Sequence, residues 1–155
     1  MRKDIVKNKI NEIEQSLDLV TENMPDTFDK FNELGIIKDG IYKRIEYSIE
    51  NLIDIFYMFN SDFKLGIPSD DSDLINNLKA KNIISEDIAI RMRDLKGFRN
   101  IVVHRYSKID DRMAYDFIKT NLDDFYIIIN AIKSVIDQNK WYSISPRFAL
   151  SAYKN

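Results

Sequence analysis

Eight residues, Arg99-Asn100-Ile101-Val102-Val103-His104-Arg105-Tyr106, hold the only histidine of the chain between two arginines and a tyrosine. Histidine is the side chain whose ordinary pKa, about 6.5, lets it take and give protons near neutrality. Arginine adds a permanent cation with a planar fork of donors that fits phosphate oxygens. Asn100 stands between them as a neutral hydrogen-bonding group. A proton shuttle beside a phosphate clamp is the minimum equipment for breaking a phosphodiester.

Helix geometry limits how these groups can cooperate. Asn100 and His104 are four apart and share a face, while Arg99, Val103 and Tyr106 mark a neighbouring one. Arg99 and His104 stand about 140° apart around a straight helix. They converge on one small ligand only if the helix ends, bends or meets a second copy. A lone histidine also cannot act as base and acid on opposite sides of one phosphate. A symmetric dimer supplies two histidines and two arginines to one cleft. Plainer roles stay open for each residue. His104 suits a helix cap, and Tyr106 suits a bundle aromatic with its hydroxyl in solvent. Arg99 suits an ion pair with Asp94 or with an acid on another helix.

Charge is uneven around this motif. Arg91, Arg93, Lys96, Arg99, Arg105 and Lys108 face only Asp94, six basic groups against one acid, although the whole chain carries −2. The balance argues against a general nucleic-acid binder, and the local surplus favours an anionic ligand. A solvated helix face is the ordinary alternative.

The 155 residues suit one domain with a substantial core, and no cysteine is present for disulfides or thiolate metal sites. No apolar run is long enough for a signal-peptide core or a membrane span, so a cytoplasmic protein is expected. One histidine and no cysteine make a transition-metal site within one subunit improbable. No glycine-rich phosphate loop is present, and no cofactor is expected. Asp70-Asp71-Ser72-Asp73 resembles the acidic metal site of a nucleotidyltransferase, but the accompanying glycine-serine turn is missing. Helix capping explains these acids better.

The elements that position the motif read as helices. Ile10, Ile13, Leu17, Val20, Met24, Phe28 and Phe31 form one apolar stripe, which Pro25 must kink or split. Gly35 and Gly40 bracket a short connection. A second helix spans about 41–63, with a stripe wide enough to be central. A short third covers 72–81, a fourth starts at 85–87, and a fifth opens near Asp110 or Asp111. The expected fold is all-α, an up-and-down bundle of four to five helices over residues 1–137. Residues 138–155 hold Trp141, Tyr142, Phe148 and Tyr153, too aromatic for a simple loose end. They are expected to pack on the bundle or on a partner.

Arg99-Asn100-x-x-x-His104 followed by Tyr106 resembles the R-x-x-x-x-H-x-Y signature of HEPN domains, specifically the HepT-like toxins. The stretch from Ile41 to Asp54 looks like the second helix of that family. Gly66-Ile67-Pro68-Ser69, Ile83-Ile84-Ser85 and Leu95-Lys96-Gly97-Phe98-Arg99-Asn100 look like its later landmarks. The resemblance covers roughly residues 1–137 and leaves out the aromatic tail.

The resemblance implies a metal-independent endoribonuclease working as a homodimer, with both motifs in an RNA cleft. His104 would activate the ribose 2′-hydroxyl or protonate the leaving 5′-oxygen, and Arg99 would neutralise the pentavalent phosphate. Asn100 would position the phosphate or the imidazole. Lys96, Arg105 and Lys108 are the further RNA-binding candidates. The resemblance also implies an MNT-type nucleotidyltransferase antitoxin that transfers AMP to Tyr106. The alternative is a non-catalytic HEPN module that dimerises and docks a nucleotidyltransferase or a nucleotide.

Overall fold

The structure is a computed structural model and describes residues 2–103 and 109–137. Among these residues there are six helices and no strand, so the fold is all-α. They are α1 (Arg2–Asn23), α2 (Phe28–Asn32), α3 (Ile36–Asp62), α4 (Asp71–Ala80), α5 (Glu86–Val103) and α6 (Asp111–Asp137). No helix among the described residues is long and apolar enough to cross a membrane.

α3 is the central element. Ile41, Ile45, Ile49, Leu52, Ile55, Phe56 and Phe59 are all buried, more than one side of its circumference. α1, α4 and α5 pack around it. Burying each such side chain contributes about 1.5–3 kcal/mol relative to leaving it exposed.

Cross-helix pairs fix the directions. Arg2 meets Asp62 and Lys9 meets Asp54, so α1 and α3 run antiparallel. Lys133 meets Glu14, and the Tyr115 hydroxyl donates to the Pro25 carbonyl, so α6 is antiparallel to α1. Arg91 pairs with Asp124 and Phe98 stacks on Phe117, so α5 and α6 form a hairpin.

Two sequence expectations change in detail. The helix count rises to six because Pro25 ends α1 and a single turn, α2, follows it. Thr27 caps that turn by accepting from the Lys30 N–H, and Phe31 is fully buried against Tyr42 and Tyr115. Gly40 lies inside α3 rather than in a connection. Gly35 makes the break instead, at φ 60°, where a side chain is disfavoured. A helical glycine costs about 1 kcal/mol against alanine. Burial of the adjoining Ile41 and Tyr42 offsets it.

Candidate functional site

α5 delivers the first part of the motif. Its inward stripe, Ile88, Met92, Leu95, Phe98 and Val102, is buried against the bundle. That register turns Lys96 and Arg99 towards the start of α4 and leaves Asn100 exposed. Arg99 Nη2 lies 3.0 Å from Asp71 Oδ2 and 3.4 Å from the Asn100 side-chain oxygen. Lys96 Nζ donates to Ser72 Oγ at 2.8 Å. Lys96, Arg99 and Asn100 are therefore gathered on one edge. His104, Arg105, Tyr106 and Lys108 lie outside the described residues, as does the aromatic tail.

The start of α4 is built by its acids. Asp70 Oδ1 accepts from the Asp73 N–H at 2.8 Å and caps the helix. Asp73 Oδ2 accepts from the Ser69 N–H at 2.9 Å, closing the turn from the other side. Capping thus accounts for Asp70 and Asp73, as the sequence suggests. It does not account for Asp71, whose second oxygen accepts from the Tyr57 hydroxyl of α3 at 2.9 Å. Burial first, then the Asp71 carboxylate, holds the Tyr57 hydroxyl above the ordinary phenol range.

Tyr57 and Asp71 are neighbours of Arg99 that the sequence does not connect with it. The available signal was a carboxylate in the first turn of α4 beyond what capping needs. Of the partners open to Arg99, the choice falls on this acid from another helix and not on Asp94.

Among the described residues, three of the basic groups around the motif stand beside carboxylates. Arg91 pairs with Asp87 and Asp124, Arg93 with Glu86, and Arg99 with Asp71. Among the described residues, no three His, Cys, Asp or Glu side chains cluster closely enough to hold a metal ion.

On the far side of the motif, Asp110 caps α6 by accepting from the Met113 N–H. Asp111 accepts from the Tyr42 hydroxyl and from Lys38 Nζ, both on α3. The helices on either side of residues 104–108 are therefore each tied to neighbouring elements by a buried or half-buried carboxylate.

A helical bundle with an Arg-Asn pair in the last turns of α5, five residues ahead of a histidine, is the HEPN arrangement. The chain belongs to the HepT-like family, whose model, described as ribonuclease HepT-like, matches residues 10–132. It is similar to the mRNA nuclease HepT of Shewanella oneidensis, 27% identical over 131 residues, covering 84% of this chain and 98% of the relative. The tri-AMPylated Shewanella oneidensis HEPN toxin, solved in complex with an MNT antitoxin, superposes with a TM-score of 0.77 at 27% identity. That match covers 84% of this chain and 98% of the toxin. A toxin–antitoxin crystal structure with AMP-PNP gives the same TM-score at 26% identity and the same coverage.

Proposed function

We propose that this protein is the toxin of a toxin–antitoxin pair, a metal-independent endoribonuclease acting as a homodimer. The observation that carries the reading is Arg99, held at the end of α5 with Asn100 beside it, five residues before the only histidine. The relative named an mRNA nuclease supports RNA as the substrate.

In this reading the ribose 2′-oxygen attacks the adjacent phosphorus and the bond from phosphorus to the 5′-oxygen breaks. One His104 imidazole takes the 2′-hydroxyl proton, and the His104 of a second copy donates a proton to the departing oxygen. The products are a 2′,3′-cyclic phosphate and a 5′-hydroxyl. Arg99 offsets the charge that builds on the pentavalent phosphate, and Asn100 orients phosphate or imidazole. Lys96, Arg105 and Lys108 contact the RNA backbone. An MNT-type nucleotidyltransferase silences the enzyme by adding AMP to Tyr106, a role supported by the AMPylated toxin complex.

An apolar surface beside the motif suits the second copy. Ile101 and Met113 are 40% and 52% exposed, and they line one groove with the stacked rings of Phe98 and Phe117. Such a patch against α5 gives two motifs a common cleft. Residues 1–137 form the dimerising bundle, and residues 138–155 pack on it or on a partner.

The ion pair of Arg99 favours a second reading, a HEPN module that docks a nucleotidyltransferase or nucleotide without cutting RNA. The deciding experiment is cleavage of single-stranded RNA by purified protein in excess EDTA. Cleavage that falls by about 10²- to 10⁴-fold in His104→Ala supports the nuclease. Absence of cleavage by the wild type favours the docking module, and an undiminished His104→Ala rate overturns His104 as the acid–base group.

A further inference from the structure

We infer that Asp71 and Tyr57 are positioning residues for Arg99, a three-helix relay that fixes the guanidinium for the phosphate in the transition state. The inference rests on the nuclease reading above and names what orients its arginine. Each member comes from a different helix: Tyr57 from α3, Asp71 from α4 and Arg99 from α5. The Asp71 carboxylate uses its two oxygens on two partners, accepting from the Tyr57 hydroxyl at 2.9 Å and from Arg99 Nη2 at 3.0 Å. That arrangement removes the rotational freedom a carboxylate with one partner retains.

Helix capping leaves Asp71 available for this role, because Asp70 and Asp73 close the turn between them. The Arg99 and Asp71 side chains are each 20% exposed, so the pair is largely shielded while one edge stays open. A guanidinium has five N–H donors, and this pair engages Nη2. Among the described residues no partner engages the rest of the fork, which suits phosphate oxygens.

The chemical effect follows from the sign of the charges. Asp71 lowers the net charge that Arg99 presents, which weakens attraction for ground-state RNA phosphate. In return the donors stand already oriented where extra negative charge develops, and preorganised donors favour the transition state. The relay therefore exchanges RNA affinity for turnover.

The test measures kcat and KM for RNA cleavage, and RNA affinity in a His104→Ala background so that binding is read without turnover. Asp71→Asn keeps the size and removes the charge. It is expected to lower kcat by about 10- to 100-fold, the scale of a misplaced reacting group. It is also expected to tighten RNA binding several-fold. Tyr57→Phe is expected to lower kcat by a smaller factor at unchanged affinity, and Asp71→Glu to recover part of the Asp71→Asn loss. A role in folding alone would not tighten binding. Unchanged kcat in Asp71→Asn, or RNA binding as weak as or weaker than the parent, overturns the relay. Should Asp71→Asn not fold, Tyr57→Phe decides, and an unchanged kcat there overturns it equally. A wild type that cuts no RNA refutes the nuclease reading, whereas an active wild type with indifferent variants refutes only the relay.

Discussion

Tyr42, in the second turn of α3, donates a 2.6 Å hydrogen bond to Asp111, the first residue of α6. Lys38 holds the other oxygen of the same carboxylate at 2.9 Å. Burial alone would push this carboxyl up, but the Tyr42 hydroxyl and the Lys38 ammonium outweigh it and hold it below the ordinary carboxylate range. A carboxyl depressed in the folded state adds stability above its unfolded pKa, about 3.9, and loses it as pH falls through the folded value. Asp111→Asn should therefore cost about 1.5–3 kcal/mol at pH 7. The deficit should shrink below pH 4. Urea unfolding at the two pH values measures it, and an equal deficit at both would contradict this account.

Tyr106→Phe removes the proposed AMP acceptor and keeps the ring. With the cognate nucleotidyltransferase and ATP present, the wild type should gain the mass of AMP on Tyr106 and stop cutting RNA. The Phe variant should stay active. An attached AMP brings a phosphodiester charge that repels RNA and competes for Arg99. Mass spectrometry finding the wild type unmodified yet inhibited would leave steric masking as the mechanism.

Ile101→Asp places a charge in the exposed apolar patch between α5 and α6, two residues from Arg99. If that patch joins two copies, the variant should sediment as a monomer with unchanged helicity. Its RNA cleavage should fall with dimer content and recover at high protein concentration. A fully active monomer would remove the need for a second histidine.

Asp70→Ala removes the cap of α4 while leaving the Asp71 pairings in place. The expected loss is about 1 kcal/mol, the ordinary value for an N-cap carboxylate. Thermal unfolding checks it, with a drop of a few degrees expected for a domain of this size. A loss near zero would mean that other acids cap the helix equally well.

The sequence told most about elements whose packing repeats along the chain. The broad stripe of α3 marked it as central, because residues on several faces can be buried only between other helices. Pro25 announced the split after α1, but five residues show no period of their own. Phe28 and Phe31 therefore read as the continuation of α1 rather than as α2. Gly40 read as a loop because glycine disfavours helices, a preference that the packing of α3 overrides.

At the site, Arg99 and Asn100 were legible because their chemistry and spacing stand within one helix. Asp71 was not. It lies 28 positions from Arg99, and only the crossing of α4 over α5 selects it in place of Asp94. The partner of Arg91 was hidden for the same reason, since Asp124 reaches it from α6, the other arm of the α5–α6 hairpin.

The pairing of those arginines bears on how the protein attracts an anionic ligand. Long-range attraction depends on net charge, and Arg91, Arg93 and Arg99 each stand beside a carboxylate. In the nuclease reading, attraction for a polyanion then falls to Lys96, whose partner is the uncharged Ser72 hydroxyl, and to Arg105 and Lys108. RNA binding carried by those groups weakens as ionic strength rises, because each lysine or arginine that meets a phosphate releases counterions.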